Sequence, residues 1–245
     1  MEVHSHTHTE RKKFTHYLWE FLMLFLAVFC GFLTENFREH HIEKNREQQY
    51  VKSFAEDLEA DTIDFGRRIS ACQQTILLAD SLIIVLNRPD RDKWANDIYY
   101  FFRQLHRSDV FEVNDRTIVQ LRNAGGMRLI SNKSVSDSIV DYYRIVDHIK
   151  FIYEEQIDYK RSLRSHLPQI LNGIDYGKVI DEENYVIRTK EPLKLSLTDP
   201  NVINTCTITL QNIKGINLGI KRRLGEMKEK AKGIRAFIVK EYHLE

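Results

Sequence analysis

The chain has 245 residues, and its 36 lysines and arginines almost balance its 35 aspartates and glutamates, which leaves a formal net charge of +1. Because the two signs are interspersed, the sequence lacks the basic surface that nucleic-acid binding requires. Only 10 glycines and 4 prolines interrupt the chain, and scarce helix breakers favour long helices. We therefore predict an all-α protein with no nucleic-acid partner.

The first thirteen residues form a polar segment in which His4, His6 and His8 alternate with other residues. Together with His16, these side chains could chelate a divalent metal transiently. An extended segment, however, lacks the outer hydrogen-bond partners that orient metal-ligating histidines. We expect residues 1–13 to be a disordered, solvated tail without a metal site.

An apolar run extends from Phe14 to Leu33, between the basic triplet at positions 11–13 and a charged segment. About 20 helical residues match the roughly 30 Å hydrocarbon core of a bilayer. A signal peptide would end in a small-x-small cleavage site, which is missing here. A buried core helix would carry its phenylalanines on one stripe, whereas these surround the helix. An interfacial helix is a third alternative. We predict a transmembrane helix over residues 14–34 and a helical domain over residues 35–245.

Charges beside the apolar run indicate its orientation. The basic triplet adjoins the run directly, whereas acidic residues dilute the basic residues that follow it, so the positive-inside rule places the N-terminus inside. Glu20 lies near the start of the span, where its carboxyl group can reach the interface or take part in helix association. We expect the domain to lie on the opposite side of the bilayer from the N-terminus.

A seven-residue apolar repeat begins at Val51 and predicts an amphipathic helix of the kind found in coiled coils. Asn87 and Pro89 should stop this helix after Leu86. Since Gly66 is the one breaker between Leu33 and Asn87, we expect a single helix to continue from the membrane into the domain. The repeat consists of Val51, Ala55, Leu58, Thr62, Phe65, Ile69, Cys72, Ile76, Ala79, Ile83 and Leu86.

Shorter elements follow in the middle of the chain. We predict helices over residues 94–106 and 114–123, the second ending before Gly125. A longer helix should run from an N-cap at Ser131 or Ser134 to about Pro168, with Ser134 and Asp137 as a weak capping box. Between residues 172 and 200, two alternating runs at 185–189 and 193–197 predict a small β-hairpin.

A second heptad repeat extends from Cys206 to Ile238. Two heptad-bearing helices at opposite ends of a domain favour antiparallel pairing, and their seams could also join a second copy or an envelope protein. If Tyr242 ends level with Asn36, Cys206 lies opposite Cys72. The two thiols are then either small buried hydrophobes or, in an oxidising compartment, a disulfide.

Two stretches carry a resemblance to known sequences. The anchor region has the pattern EF-x-MLFLAV-x-x-GF-x-x-EN-x-REH, and residues 121–143 have the pattern L-x-x-x-G-x-x-RLI-x-NK-x-x-x-D-x-I-x-x-YY. Both resemble an uncharacterised family of bacterial single-pass membrane proteins frequent in Bacteroidota-type genomes, although Gly125-Gly126 stands where that family usually has Ser-Gly. The resemblance implies a bacterial inner-membrane anchor and a mostly helical domain, and the orientation predicted from the flanking charges makes that domain periplasmic. It implies no known activity, substrate or catalytic residue.

Signatures of nucleophilic, phosphate-binding and zinc-dependent enzymes are missing from the sequence. The aromatic runs at 99–102 and 142–143 are expected to be core, although they could line a ligand pocket. Arg128, near Asn132 and Asp137, is expected to fix a turn against a carboxylate. We therefore predict no catalytic, cofactor-binding or metal-binding residues.

Two functions remain open. The favoured one is a non-enzymatic envelope protein that presents a helical interaction or scaffold domain from the lipid bilayer. The alternative is a single-pass membrane sensor that binds a ligand between its soluble helices and uses the continuous first helix as a lever.

Overall fold

A computed structural model describes residues 14–107, 110–123, 125–196 and 199–244. Within these ranges the chain forms α-helices and no strand, which confirms the all-α prediction. The predicted disordered tail over residues 1–13 lies outside the described residues. The helices are α1 (Phe14–Leu86), α2 (Ala95–Leu105), α3 (Arg116–Asn123), α4 (Lys133–Ile170), α5 (Gly173–Gly177) and α6 (Pro200–Glu241).

The chain divides into two compact units, of which the first ends at Gln49 and the second begins at Tyr50. In the first unit, α1 contains a segment long and apolar enough to cross a membrane, and none of that segment is buried by the protein. The rings of Phe21, Phe25 and Phe29 stack successively, with centroids 6.3 and 5.9 Å apart. Such a continuous apolar surface is unusual when it faces water.

The predicted ends of the early helices are confirmed. α1 ends at Leu86, directly before the expected stop, and α2 begins and ends within one residue of the prediction. α3 ends at Asn123, and Gly125 then has a φ of 61°. This left-handed conformation favours glycine because a side chain at that position would be strained.

The predicted N-cap of α4 is wrong. Asn132 occupies this position, and its side-chain oxygen accepts a hydrogen bond from the Val135 backbone N–H at 3.2 Å. Ser134 lies inside the first turn, so the predicted capping box with Asp137 does not form. Asparagine caps as well as serine does, and three candidate caps lie within four positions here.

The predicted β-hairpin is also wrong. Val186 forms an isolated antiparallel bridge with Ile180, and Leu195 forms another with Leu171. The two alternating runs therefore pair with other segments instead of with each other. Leu197, at the end of the second run, lies outside the described residues.

α1 and α6 pack antiparallel in the second unit, as the two heptad repeats predict. Polar contacts define the register, and in each of them the two residue numbers add up to 294. The contacts are Lys214 Nζ to Asp80 Oδ1 at 2.7 Å, Lys221 Nζ to Gln73 Oε1 at 2.7 Å, Arg235 Nη2 to Glu59 Oε2 at 2.8 Å, and Asn87 Nδ2 to Thr207 Oγ1 at 3.0 Å. The predicted register, with Cys72 opposite Cys206, is therefore wrong by sixteen positions.

This register separates the two cysteines. Cys72 lies opposite Arg222, and sixteen helical residues correspond to about 24 Å along the helix axis. Cys72 belongs to one apolar cluster and Cys206 to another, and both thiols are free and buried. The alternative of small buried hydrophobes is the one that the structure adopts.

The core of the second unit consists of two apolar clusters separated by a polar layer. The first cluster is built around Phe54, Phe65 and Tyr142, and the second around Leu82 and Phe102. All predicted heptad positions of α6 are buried in the chain, from Cys206 to Ile238. The heptad seams are thus largely buried by packing within one copy of the chain.

In the polar layer, Gln156 Nε2 donates a hydrogen bond to Asn217 Oδ1 at 2.8 Å, and Asn217 Nδ2 donates to the Ile213 carbonyl at 2.7 Å. Both side chains are at least 95% buried. A buried amide pair of this kind is satisfied in one alignment of the helices and stranded in others.

Two buried carboxylates on α1 hold α3 and α4 in place. Asp57 accepts hydrogen bonds from the backbone N–H and the hydroxyl of Thr117, at the start of α3. Asp61 accepts from the backbone and side-chain nitrogens of Asn114 at 2.8 and 2.7 Å, and from the Tyr142 hydroxyl at 2.5 Å. Negative charge beside the free N–H groups of a helix N-terminus is stabilising. Burial nevertheless raises the pKa of Asp61 above its ordinary value.

Replacing Asp61 should destabilise the second unit strongly. Asp61→Ala leaves the buried Tyr142 hydroxyl without its acceptor and removes the acceptor of the exposed Asn114, and we expect a loss of about 3 kcal/mol in the free energy of unfolding. Urea unfolding of the full-length protein measures this loss. The matched control Glu56→Ala, on an exposed position of the same helix, should change the free energy by less than about 1 kcal/mol. Equal effects of the two substitutions would contradict the assignment.

Candidate ligand-binding site

An open cavity of about 550 Å³ lies where the end of α2, the C-terminal end of α4 and α5 come together. This volume is within the range of small-molecule sites in proteins. Its lining residues come from all three helices and the segments between them: Arg103, His106, Arg164, Leu167, Pro168, Leu171, Gly173 and Tyr176.

The end of α4 shapes one wall of this cavity. Proline has no backbone N–H, so Pro168 cannot donate the helical hydrogen bond to the Arg164 carbonyl, and α4 ends two residues later at Ile170. Asn172 then caps α5, and its side-chain oxygen accepts from the Ile174 backbone N–H at 2.9 Å. The sequence therefore replaces one long helix by a bend and a short helix.

Tyr99 fixes this bend from the core. The Asn172 backbone N–H donates to the Tyr99 hydroxyl oxygen at 2.6 Å, and that hydroxyl donates to the Lys194 carbonyl at 2.9 Å. Tyr99 itself is fully buried. The wall formed by residues 171–176 is thus anchored to α2, which also carries Arg103.

Positive charge is concentrated at the cavity. The Arg103 guanidinium carbon lies 4.1 Å from the ring centroid of Tyr176, a cation–π contact that holds the side chain across the cavity. Among the described residues, neither Arg103 nor Arg164 forms an ion pair with a carboxylate, and no aspartate or glutamate lines the cavity. No described acidic side chain therefore compensates these two guanidinium groups, of which that of Arg164 is exposed.

His106 is held in its neutral form beside these arginines. Its Nε2 atom is buried and has no hydrogen-bond partner among the described residues, while its Nδ1 atom lies 3.4 Å from the Tyr176 hydroxyl. Burial, reinforced by the charge of Arg164, lowers the pKa of His106 to about 4. A buried ring nitrogen without a partner is costly.

A second cavity, of about 320 Å³, adjoins the polar layer and includes Arg68, Cys72 and Lys160 in its lining. Its cations already have protein partners. Arg68 Nε donates to Asp64 at 2.5 Å, and Lys160 Nζ donates to the Arg107 carbonyl at 2.6 Å. Among the described residues, the first cavity therefore has the cations without a carboxylate or carbonyl partner, and it is the better candidate for a ligand site.

The aromatic residues and Arg128, which the sequence pointed to, do not line this cavity. Tyr99, Phe102, Tyr142 and Tyr143 are buried in the core, which confirms the expected role of most of the aromatic runs. Arg128 is exposed, and in the described part of the chain no carboxylate pairs with it, so the expected ion pair at the turn is not present.

Sequence reasoning missed the cavity residues themselves. His106 caps the end of α2 three residues after Arg103, and Arg164, Leu167, Pro168 and the C-cap Leu171 follow the helical spacing of α4. Each set alone looks like an ordinary helix face with a charged edge. Only the fold brings them together with Tyr176.

No protein family, curated protein or solved structure matches this chain. The resemblance to the bacterial single-pass family therefore stays a prediction, and the geometry of the cavity is the principal guide to function.

The lowered pKa of His106 predicts how stability depends on pH. An unfolded histidine binds a proton below about pH 6.5, whereas His106 in the folded state stays neutral until about pH 4. The unfolded state binds more protons in this window, so stability should fall as the pH is lowered through it. His106→Gln removes this contribution. Between about pH 7 and about pH 5, the Tm of this variant should therefore fall by about 3 °C less than the Tm of the wild type.

Thermal unfolding of the full-length protein at both pH values provides the measurement. His148→Gln is the control, since His148 is exposed on α4 and should leave the drop unchanged. The prediction fails if the Tm of the His106 variant falls as steeply as that of the wild type.

Proposed function

We propose that this chain is a non-enzymatic, single-pass membrane protein whose helical domain binds a small ligand in the cavity between α2, α4 and α5. The preformed cavity of about 550 Å³, with Arg103, Arg164 and His106 converging on it, is the observation that carries the proposal. Of the two functions predicted from the sequence, ligand sensing is the one that needs such a cavity.

The membrane part of the proposal is supported by the unburied apolar segment of α1. Within the second unit, the side chains of the two clusters are closely buried, and the cavity lies at the edge of the second cluster. Leu167 and Leu171 belong to the second cluster and also line the cavity. Binding there can therefore change the packing of α4 against its neighbours, which is what a sensor requires.

Gly173 offers a direct test, because it is an exposed residue that lines the cavity and a Cβ atom built on it meets no atom within 4 Å. Gly173→Trp should fill the entrance without disturbing the core. Gly177→Trp is the matched control, on the same short helix but outside the cavity lining and equally free of contacts.

The measurement is the shift in Tm of full-length protein in lipid nanodiscs on adding a protein-free small-molecule extract of the cells that express it. Wild type and Gly177→Trp should be stabilised by about 3 °C or more, as expected for a ligand well above its Kd, and Gly173→Trp should not be. Equal shifts in all three proteins, or no shift in any, would reject the proposed function.

A separate observation favours the interaction domain as a second function. Ile63, Leu77 and Ile84 project from one face of α1 at multiples of seven residues and are 62%, 49% and 63% exposed. Large apolar side chains repeated at this spacing suit a seam with another helix. We infer that a second copy of the chain packs on this exposed stripe, outside the heptad seam used internally.

The double substitution Leu77→Glu and Ile84→Glu should abolish that association, because it places charges opposite each other in an apolar seam. Chemical crosslinking in native membranes should give a dimer for the wild type and at least tenfold less for the variant. Val140→Glu, at an exposed apolar position of α4, should crosslink like the wild type. A wild type that gives only monomer would contradict the proposal.

A further inference from the structure

The chemistry of the cavity between α2, α4 and α5 restricts what it can bind. We propose that it binds an organic acid, that is, a ligand with one carboxylate and an apolar body. This inference rests on the proposed function, since it assigns a ligand class to the same site. It follows from the charge, the donor geometry and the apolar wall of the cavity.

Charge is the first step. Two guanidinium groups face a cavity whose described lining contains no acidic side chain. The C-terminal end of α4 contributes about half a negative elementary charge, which opposes the two positive charges without cancelling them. A cationic ligand would meet both arginines, whereas a single anionic group would reduce the repulsion between them.

Donor geometry is the second step. A guanidinium presents N–H groups in a planar fork that matches the two oxygens of a carboxylate. The contact with the face of Tyr176 fixes Arg103 and leaves the N–H groups in the guanidinium plane directed elsewhere. Arg164 lines the same cavity from α4, and in this proposal one carboxylate accepts hydrogen bonds from both side chains.

The apolar wall is the third step. Leu167, Pro168 and Leu171 line the side of the cavity formed by α4 and the bend that follows it. Leu167 and Leu171 are 7% and 5% exposed, so the wall is continuous with the second apolar cluster. A small inorganic anion would leave this surface wet, whereas an alkyl or aryl body would cover it and gain about 25 cal/mol for each Å² removed from water.

His106 completes the assignment. Burial, together with the nearby positive charges of Arg164, Arg103 and Lys160, lowers the pKa of His106, and its Nε2 atom has no hydrogen-bond partner among the described residues. An anion bound among these groups would offset that effect.

The test uses a matched series of probes on the full-length protein in nanodiscs of zwitterionic lipid, with empty nanodiscs as the blank. The probes are hexanoate, hexan-1-ol, hexylammonium and acetate, and isothermal titration calorimetry measures their dissociation constants. Hexanoate should bind at least tenfold more tightly than each of the other three, since it alone combines a carboxylate with a longer alkyl body.

Variants then locate the binding. Arg164→Gln should weaken hexanoate binding at least tenfold, and Arg164→Lys should restore part of it by retaining the charge. Arg161→Gln is the control, because Arg161 is equally exposed on α4, pairs with Asp158 and does not line the cavity. Gly173→Trp should abolish hexanoate binding.

The outcomes separate this inference from the proposed function. Tighter binding of hexan-1-ol or hexylammonium that Gly173→Trp abolishes would overturn the organic-acid assignment and leave a ligand-binding cavity. Acetate binding as tight as hexanoate binding would overturn the role of the apolar wall. Hexanoate binding that survives Gly173→Trp, or no hexanoate binding at all, would overturn the inference, while the extract experiment independently judges the proposed function.

Discussion

The second unit depends on two carboxylates that α1 buries against its neighbours. Ion burial costs several kcal/mol unless hydrogen bonds replace the lost water. Asp57 and Asp61 meet this condition through Thr117, Asn114 and Tyr142, which lie at the start of α3 and inside α4. Because each carboxylate requires these partners, α3 and α4 can pack on α1 in few arrangements. The apolar side chains around Phe54 then pack within a helix arrangement that these hydrogen bonds have already restricted.

Periodicity made the helices predictable, but their alignment needed polar contacts. Apolar residues repeated every seven positions identify which faces of α1 and α6 are buried, and several sliding positions satisfy that pattern almost equally. Lys214 with Asp80 and Lys221 with Gln73 mark the alignment of α6 with α1, and the buried pair of Asn217 with Gln156 restricts the alignment of α6 with α4. The predicted register relied on matching the chain ends, so it placed Cys206 opposite Cys72 although no energetic term favours that pairing.

Local features were predictable where only one residue type could fill a position. Their prediction failed where several residues could fill it. Gly125 was a clear helix stop because its left-handed conformation has few alternatives. Asn132, by contrast, competed with Ser131 and Ser134 for the N-cap of α4. The alternating runs at 185–189 and 193–197 were too short to define their partners, which turned out to be Ile180 and Leu171. The cavity was beyond local reasoning, since its lining residues come from α2, α4 and α5.

The energetics of the cavity connect fold to function. Arg103 and Arg164 bring like charges to one cavity, the Nε2 atom of His106 has no hydrogen-bond partner in the described part of the chain, and Pro168 removes a backbone hydrogen bond from the adjoining helix end. Each feature lowers the stability of the unliganded domain, and a single acidic side chain in the lining would relieve the first. The Tyr99 and Asn172 hydrogen bonds instead hold the site open. A positively charged cavity whose described lining holds no acidic side chain is preorganised for an external anion, so its cost to the free domain becomes affinity when the ligand binds.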